Sequence, residues 1–330
     1  MSQIAMPQST VPGPRRTIAA ELIEDARRHV YQAAVRTPLV PLNYSEAPCH
    51  IYLKLENLQP IGSFKIRGAY NAVRLLAADE RSHGVWTVSA GNAAQGVALA
   101  ARKMGVPCRV LVIETAPAAK LEAICRLGAE IVKAPFDECW KALGERKHPA
   151  MVGAFIHPFE DDAFIAGNAS AGLEILEDLP EVDAVVAGFG GGGLCCGIAS
   201  ALATLKPGAR VYAAEPETAA PLARSFALGS AQDFPGWTAS WVDGCGGKSV
   251  FPRMWALASH VLAGSILATL EETRRAMKLV AERNHVIAEG AAACAVAAAL
   301  SGKCGNGKVV AVVSGGNIDL AKFTELVSAA

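Results

Sequence analysis

Apolar residues along this chain follow two alternating patterns, short continuous runs and stretches with helical spacing. Short runs bounded by turn residues are typical of buried strands, whereas apolar residues three and four positions apart are typical of amphipathic helices. The runs predict strands at residues 51–55, 85–88, 109–113, 130–133, 184–187, 210–214 and 309–313. Because helical spacing follows most of these runs, we expect an α/β fold with open, mostly parallel sheets and helices on both faces.

Three of the predicted strands end in a turn that contains glycine. These turns are Ser89–Gly96, Gly190–Leu194 and Ser314–Asn317. In open parallel sheets, ligands bind outside the carboxyl ends of the strands, where such turns meet. The pattern therefore predicts one ligand site built from the three segments.

The alternation of strands and helices divides the chain into two α/β units, as its length of 330 residues also suggests. We predict a small domain at residues 51–154, inserted into a large domain that comprises residues 1–50 and 155–330. Residues 1–16 are polar, contain proline and lack an apolar core segment. They are typical of a loose N-terminal arm and not of a signal peptide.

Composition excludes several classes of protein. The chain has 31 Lys plus Arg and 31 Asp plus Glu, so net charge does not favour binding to nucleic acid or to an anionic membrane. No apolar run has the length of a membrane span. Nine cysteines without a CxxC pair and seven histidines without metal-ligand spacing indicate reduced thiols in a cytoplasmic protein and no zinc site.

Lys65 is the first candidate for chemistry. It lies between Phe64 and Ile66 at the predicted start of an apolar-faced helix, just after a turn at Pro60 and Gly62. Burial and the positive end of the helix dipole both disfavour an ammonium, so the pKa of this lysine should fall and make it a nucleophile that forms Schiff bases. The alternative is a solvated surface lysine, the commonest state of this residue.

Four consecutive glycines, Gly190–Gly193, form the second candidate site. A turn without side chains can present a nest of backbone N–H groups at a helix N-terminus, which suits a phosphate. The alternative is a flexible surface turn. The segment is not a Walker loop, because no Gly-Lys-Ser/Thr follows, and Gly188-Phe189-Gly190 with Gly193 matches a dinucleotide fingerprint only weakly.

A nucleophilic lysine, a phosphate-binding glycine turn and polar strand ends are together what pyridoxal phosphate requires. Ser63–Gly68, Ser89–Asn92, Gly190–Leu194 and Ser314–Asn317 resemble, in this order, the motifs of the fold-type II pyridoxal-phosphate enzymes. Within that class the chain resembles the threonine/serine dehydratase and serine racemase family over nearly its whole length from Ile18. The resemblance implies pyridoxal 5′-phosphate as cofactor and a two-domain fold similar to the β subunit of tryptophan synthase.

The resemblance also implies a role for each motif. Lys65 would form the Schiff base with the cofactor and remove the proton from the substrate α carbon, and Ser89 would complete the catalytic pair. The implied cofactor-binding residues are Phe64, Lys65, Asn92, Gly190, Gly191, Gly192, Gly193, Leu194 and Ser314. The implied substrate pocket comprises Ser89, Ala90, Gly91, Asn92 and Ala93, with the substrate carboxylate held at a helix N-terminus.

Ser314 would face the pyridine nitrogen of the cofactor. A neutral hydroxyl does not hold a proton on that nitrogen as a carboxylate does, so the ring is a weaker electron sink. This favours β-elimination over transamination.

Two residues depart from the family in ways that bear on the reaction. Ala90 occupies the position at which the racemases have a second serine, as in the dehydratases, so racemisation would lack its second proton carrier. Ala93 follows the asparagine where members usually have histidine. Either this change is neutral, or it creates a roomier and less polar pocket for a bulky β-substituent such as an aryl group.

Two glutamates complete the candidates. Glu215 and Ala219 partly match a divalent-cation site of some relatives, but Pro221 stands where the carboxylate ligand is needed, so we expect no metal site. Glu289 either lines the cofactor edge or caps a helix.

The resemblance implies a pyridoxal-phosphate lyase of amino-acid catabolism, expected in the cytoplasm as a homodimer. Such an enzyme converts a β-hydroxy-α-amino acid, of the L-threonine or L-serine type or a bulkier one such as phenylserine, to a 2-keto acid and ammonia. The alternatives are an amino-acid racemase of the same family and a catalytically silent protein that binds pyridoxal phosphate.

Overall fold

The computed structural model describes residues 15–329, so nearly all of the predicted arm at residues 1–16 lies outside the described part. The strands are β1 (Leu39–Pro41), β2 (His50–Lys54), β3 (Val85–Val88), β4 (Cys108–Ile113), β5 (Glu130–Ala134), β6 (Ala154–Phe155), β7 (Ala184–Gly188), β8 (Arg210–Pro216), β9 (Gly264–Ala268) and β10 (Lys308–Val312). The helices are α1 (Ala20–His29), α2 (Lys65–Arg74), α3 (Ala78–Ser82), α4 (Asn92–Met104), α5 (Ala118–Arg126), α6 (Phe136–Glu145), α7 (Asp162–Asp178), α8 (Gly193–Leu205), α9 (Pro221–Leu228), α10 (Pro252–Val261), α11 (Leu270–Asn284), α12 (Gly290–Leu300) and α13 (Leu320–Ser328).

The strands form two open sheets. The larger sheet has the order β1-β2-β10-β7-β8-β9, and the smaller has the order β5-β4-β3-β6. All neighbouring strands are parallel except β1, which is antiparallel to β2. The predicted α/β fold with mostly parallel sheets is confirmed.

Helices cover both faces of the larger sheet because alternate residues of its strands point to opposite sides. Val185 and Val310 pack on one face with residues of α1, α7, α8 and α10. Val186 and Val309 pack on the other face with residues of α11, α12 and α13. The sheet is thus buried on both sides, and its functional groups can be exposed only at strand ends.

The domain limits at residues 51 and 154 stay a prediction. The membership of β2 and β6 in the two sheets can be compared with those limits. Strand β2 belongs to the larger sheet, where Ile51 pairs with Val309. Strand β6 pairs with β3 in the smaller sheet. A division drawn by sheet membership would therefore place β2 with the large domain.

A buried ion cluster joins the helix that begins at Lys65 to the larger sheet. Arg67 donates from Nε to Glu56 Oε2 at 2.7 Å and from Nη1 to Glu174 Oε1 at 2.7 Å. Lys54 Nζ lies 2.6 Å from Glu174 Oε2, and all four side chains are almost completely buried. Because each buried charge has a partner, the cluster fixes α2 against β2 and α7.

Two further findings concern the cysteines and the apolar character of the helices. All nine cysteines lie within the described residues and are free thiols, as predicted, and seven of them are buried. Between residues 15 and 329, no helix combines the length and the apolar character needed to cross a bilayer.

Candidate active site

A cavity of about 510 Å³ is lined by the segments that follow β3, β7 and β10. The residues predicted for catalysis, cofactor and substrate all line it: Phe64, Lys65, Ser89, Ala90, Gly91, Asn92, Ala93, Gly190, Gly191, Gly192, Gly193, Leu194 and Ser314. The three glycine-containing turns do meet at one place, as expected from the parallel topology. The roles implied for the individual residues stay predictions.

Lys65 is the first residue of α2 and its amine faces the cavity. Its Nζ donates to the backbone oxygen of Pro158 at 2.7 Å and lies 5.2 Å and 5.4 Å from the ring centres of Phe64 and Phe164. Desolvation lowers the pKa of Lys65 to about 8, although the nearby carboxylate of Glu289 opposes this shift. The surface-lysine alternative is therefore wrong, and the amine is partly neutral near neutral pH.

The four glycines lead from β7 into α8 without space for side chains. A Cβ added to Gly191 would lie 2.2 Å from Cγ of Phe159, and one added to Gly193 would lie 2.6 Å from the backbone oxygen of Phe159. Gly192, the N-cap of α8, has a φ of 89°, which strains other residues. The segment is thus a tightly packed turn, not a flexible one, and it leaves backbone N–H groups at the start of a 13-residue helix for a phosphate.

Asn92 begins α4 and is held from two sides. Its Nδ2 donates to both carboxylate oxygens of Glu289, at 2.9 and 3.2 Å, and its Oδ1 accepts from Nδ2 of Asn317 at 2.7 Å. Burial raises the pKa of Glu289 to about 7, while the bond from Asn92 partly opposes that rise. Glu289 is the N-cap residue of α12, but its side chain makes no capping bond and lines the cavity instead. Its place at the cofactor edge stays a prediction.

The implied carboxylate site lies at the N-terminus of α4. Oγ of Ser89 accepts from the backbone N–H of Gly91 at 3.1 Å, which shapes the turn that enters the helix. Ala93 lies in the first turn of the helix and is nearly buried. Residues 91–93 line the cavity, and the first turn of a helix has backbone N–H groups without intrahelical partners, which would stabilise a carboxylate there.

Ser314 follows β10 and is nearly buried at the edge of the cavity. Its backbone oxygen accepts from the N–H of Phe64 at 3.0 Å, and Ser63 forms an isolated β-bridge with Gly315. The lysine segment and the last glycine turn are therefore bonded directly to each other, which holds Ser314 and Lys65 in one frame.

Glu215 and Ala219 lie away from this cavity. The carboxylate of Glu215 accepts from the N–H groups of Leu222 and Ala223, at 2.9 and 2.8 Å, and from Oγ of Ser265 at 2.7 Å. Burial raises its pKa to about 7. Glu215 thus joins the start of α9 to β9. Within residues 15–329 no cluster of three or more His, Cys, Asp or Glu could hold a metal ion.

Several further residues line the cavity without being marked by any sequence pattern. Phe136, Trp140 and Leu143 of α6 contribute apolar surface, and Lys120 and Asp243 form an ion pair of 2.6 Å at the cavity. No motif marks these positions. The one usable signal was the pair of large aromatic residues four positions apart in an otherwise polar segment, since such residues share one face of a helix.

The residues present fit pyridoxal phosphate on three grounds of this structure. A buried amine of lowered pKa, a glycine turn that cannot carry side chains and a helix N-terminus for a carboxylate face one cavity. Each provides a group that this cofactor and an amino acid require.

Comparisons with known proteins agree with this fit. The family model described as "Pyridoxal-phosphate dependent enzyme" matches residues 30–315. The chain is 38% identical over 319 residues to the L-threonine ammonia-lyase of Thermotoga maritima, which covers 94% of this chain and 78% of that protein. It is 36% identical over 318 residues to the catabolic L-threonine dehydratase of Escherichia coli, covering 94% and 96%. The structure of maize serine racemase superposes with a TM-score of 0.85 at 30% identity, covering 95% of this chain and 97% of that one.

Proposed function

Since the chain belongs to the threonine/serine dehydratase family of fold-type II pyridoxal-phosphate enzymes and is an ammonia-lyase, we propose that it removes water from a β-hydroxy-α-amino acid. The products would be a 2-keto acid and ammonia. The observation that carries the proposal is the amine of Lys65, whose pKa is lowered to about 8, in one cavity with the glycine turn and the N-terminus of α4.

When bound, pyridoxal phosphate supplies an electron sink that makes the α proton of the substrate acidic. Gly190–Gly193 would hold its phosphate through backbone N–H groups, and Asn92, already oriented by Glu289 and Asn317, would donate to its ring oxygen. The residues of the chain supply the remaining functions.

Lys65 would remove the α proton in its neutral form. With a pKa of about 8, roughly one tenth of the free amine is neutral at pH 7, against less than one thousandth for an ordinary lysine. The hydrogen bond to the backbone oxygen of Pro158 and the rings of Phe64 and Phe164 keep the amine in place and exclude water from it.

Ser89 and the free N–H groups at the start of α4 would bind the substrate carboxylate. This interaction fixes the substrate so that its α hydrogen faces Lys65 and its β-hydroxyl can depart as water. Fixed orientation of this kind contributes much of the rate enhancement in such reactions.

Two residues favour elimination over the other outcomes. Ser314 would offer a neutral hydroxyl, and no carboxylate, to the pyridine nitrogen of the cofactor, which would disfavour transamination. Ala90 has no hydroxyl to return a proton to the opposite face of the α carbon, so racemisation lacks a carrier.

The substrate side chain is the finer part of the proposal. L-Threonine is the default substrate, by analogy with the names of the two enzymes compared above. L-Serine is the second default, implied by the family resemblance. A larger substrate of the phenylserine type is the alternative raised by Ala93, because alanine leaves space where histidine is usual in the family. The predicted homodimer and cytoplasmic location also stay predictions.

The test is release of 2-keto acid from L-serine, L-threonine and both diastereomers of L-phenylserine. We expect turnover of at least one of them, and we expect Lys65→Ala to lower that rate by roughly 10³-fold or more. A matched control is Lys133→Ala on β5, since Lys133 is exposed and does not line the cavity.

Absence of keto acid from every member of the panel would contradict the lyase reaction. Exchange of the α hydrogen with deuterium, accompanied by inversion but no keto acid, would instead identify a racemase.

A further inference from the structure

We propose that Phe136 and Trp140 of α6, together with Phe159 and Phe251, form a subsite for an aryl group on the β carbon of the substrate. These four residues are called the aromatic wall below. The inference rests on the proposed function and names the substrate class of the same site, an aryl-substituted β-hydroxy-α-amino acid.

The first observation is the position of two aromatic rings that core packing does not explain. Phe136 and Trp140 are 46% and 41% exposed, while the same helix buries Cys139, Ala142 and Leu143. The two exposed rings are parallel, with centres 6.3 Å apart, and both line the cavity that contains Lys65 and the start of α4. Large aromatic surfaces left open inside a cavity indicate a ligand that covers them.

The second observation is an apolar pocket that continues from the cavity. It has a volume of about 140 Å³ and shares Trp140, Phe159, Gly190 and Gly191 with the main cavity. Phe251 and Met254 line its far side, and none of its described lining residues is charged. An apolar cavity of about 150 Å³ in another protein admits benzene. The pocket therefore has the size and polarity for one phenyl ring.

The third observation is that the rings are held in place. The ring of Trp140 meets Phe251 edge-on at 5.7 Å, and Phe251 meets Phe159 in a similar way at 5.5 Å. Phe136 is fixed from outside by Lys248, whose Nζ lies 4.6 Å from its ring centre and 4.6 Å from that of Trp237. Edge-to-face arrangements of this kind are the favoured geometry of aromatic pairs, so an added ring would extend an existing network.

The charges around the cavity agree with an apolar substituent. Among its described lining residues the charged ones are Lys65, Lys120, Asp243 and Glu289. Lys120 and Asp243 neutralise each other, Glu289 is bonded to Asn92, and Lys65 is assigned to the α proton. No charged group is left to bind a polar or ionised side chain of the substrate. Ala93 adds apolar space next to the α carbon site instead of a hydrogen-bonding ring.

The experiment compares kcat/KM for threo-L-phenylserine and L-threonine in the wild-type holoenzyme and in Trp140→Ala. We expect the wild type to favour phenylserine by roughly tenfold or more, since a phenyl ring buries far more apolar surface than a methyl group. Trp140→Ala should lower kcat/KM for phenylserine by roughly 10- to 100-fold and change that for threonine by less than about threefold. Trp140→Phe should retain most of the preference, because it keeps a ring at this position.

Leu205→Ala is the control. Leu205 is a large apolar residue that is 62% exposed at the end of α8, and it lines neither the cavity nor the apolar pocket. We expect less than about threefold change with either substrate, which would separate loss of the subsite from loss of an exposed apolar side chain.

A binding measurement that needs no variant supports the same test. L-Phenylalanine and L-2-aminobutyrate lack the β-hydroxyl and cannot lose water, so each acts only as an inhibitor. We expect phenylalanine to have the lower inhibition constant in the wild type, and we expect Trp140→Ala to abolish that difference. This readout remains informative if Trp140→Ala fails to fold, with Phe136→Leu as the second variant.

The outcomes distinguish this inference from the proposed function. Two outcomes would overturn the aryl subsite while leaving the lyase intact. In the first, threonine is turned over and Trp140→Ala lowers kcat/KM equally for both substrates. In the second, the wild type prefers threonine as substrate and 2-aminobutyrate as inhibitor. No keto acid from these two substrates, from L-serine or from the second diastereomer of phenylserine would overturn the lyase. The inhibition constants would still report whether an aryl group binds.

Discussion

The cavity has two walls that are built in different ways. On one side, Gly190–Gly193 and the start of α8 present backbone groups, and every glycine is fixed by close neighbours. On the other side, the aromatic wall presents side chains that come from an ordinary amphipathic helix and from a distant loop. The first wall suits a constant ligand and the second a variable one.

This difference has a physical cause. A backbone cradle tolerates no added side chain, because a Cβ at any of the four positions would lie within 3 Å of another atom. The exposed rings of α6 contact each other, Phe251 and Lys248, but they are not part of the buried core, so they can change without disturbing it. Cofactor binding is therefore restricted by the fold, whereas the choice of substrate side chain is left largely to the two rings of α6.

Gly191→Ala should break the glycine wall and have the largest effect. The new methyl group would lie 2.2 Å from the ring of Phe159, too close for either group to remain in place. We expect the affinity for pyridoxal phosphate to fall by roughly 100-fold, because the N–H groups that bind the phosphate shift with the chain. Titration of the apoprotein with the cofactor, followed by absorbance, measures this change.

Gly208→Ala controls for loss of a glycine in itself, since an added Cβ there would meet no atom within 4 Å. It should leave cofactor affinity unchanged. Equal effects of the two substitutions would show that the close approach of Phe159 is not what restricts Gly191. In Gly208→Ala the ratio of activities on phenylserine and threonine should also stay the same. In Gly191→Ala that ratio should fall at saturating cofactor, because the displaced ring of Phe159 belongs to the aromatic wall.

Ala93→His should have an intermediate effect, and on the substrate side only. An imidazole in the first turn of α4 would fill part of the space next to the aromatic wall and add polar atoms to it. We expect kcat/KM for phenylserine to fall by roughly tenfold relative to that for threonine. Steady-state kinetics with both substrates measure the ratio. Arg102→His, on the exposed side of the same helix, should not move it.

The two walls also differ in how well the sequence predicts them. Lys65, the four glycines and Ser314 each lie in a short segment whose residue types follow from its chemistry, and parallel topology then predicts that the segments meet. The structure brings all of them to one cavity. These motifs can be recognised in the sequence because each one specifies a backbone conformation within a few consecutive residues.

The aromatic wall had no comparable signal. Trp140 and Phe251 lie 111 positions apart in the numbering, and nothing near either residue indicates that their rings meet at 5.7 Å. Helix α6 itself was not among the predicted elements. Contacts of this kind depend on how the two sheets are placed relative to each other, which periodicity does not report.

The sequence marks Glu289 as a candidate but does not indicate its contact with Asn92, and this residue leads to the smallest predicted effect. Its carboxylate accepts from Asn92, 197 positions earlier in the chain. The same carboxylate partly opposes the desolvation that lowers the pKa of Lys65 to about 8. Glu289→Gln removes that charge while keeping an oxygen to accept from Asn92, so the pKa of Lys65 should fall further. Because only the neutral amine reacts with an aldehyde, covalent uptake of pyridoxal phosphate by the apoprotein should become faster at pH 7, by about two- to threefold.

An increase in the uptake rate distinguishes this effect from disruption of the site, which would lower the rate. In the wild type the uptake rate should rise with pH and level off above about 8, and in Glu289→Gln the same rise should occur at lower pH. The two rates should agree at pH 9.5, where Lys65 is neutral in both. Glu215→Gln is the control, since burial raises the pKa of Glu215 to about 7 as well, but its carboxylate is bonded to the start of α9 and not to the cavity. An unchanged profile in Glu289→Gln, or the same shift in Glu215→Gln, would mean that the charge of Glu289 does not act on Lys65 and that its role is confined to orienting Asn92.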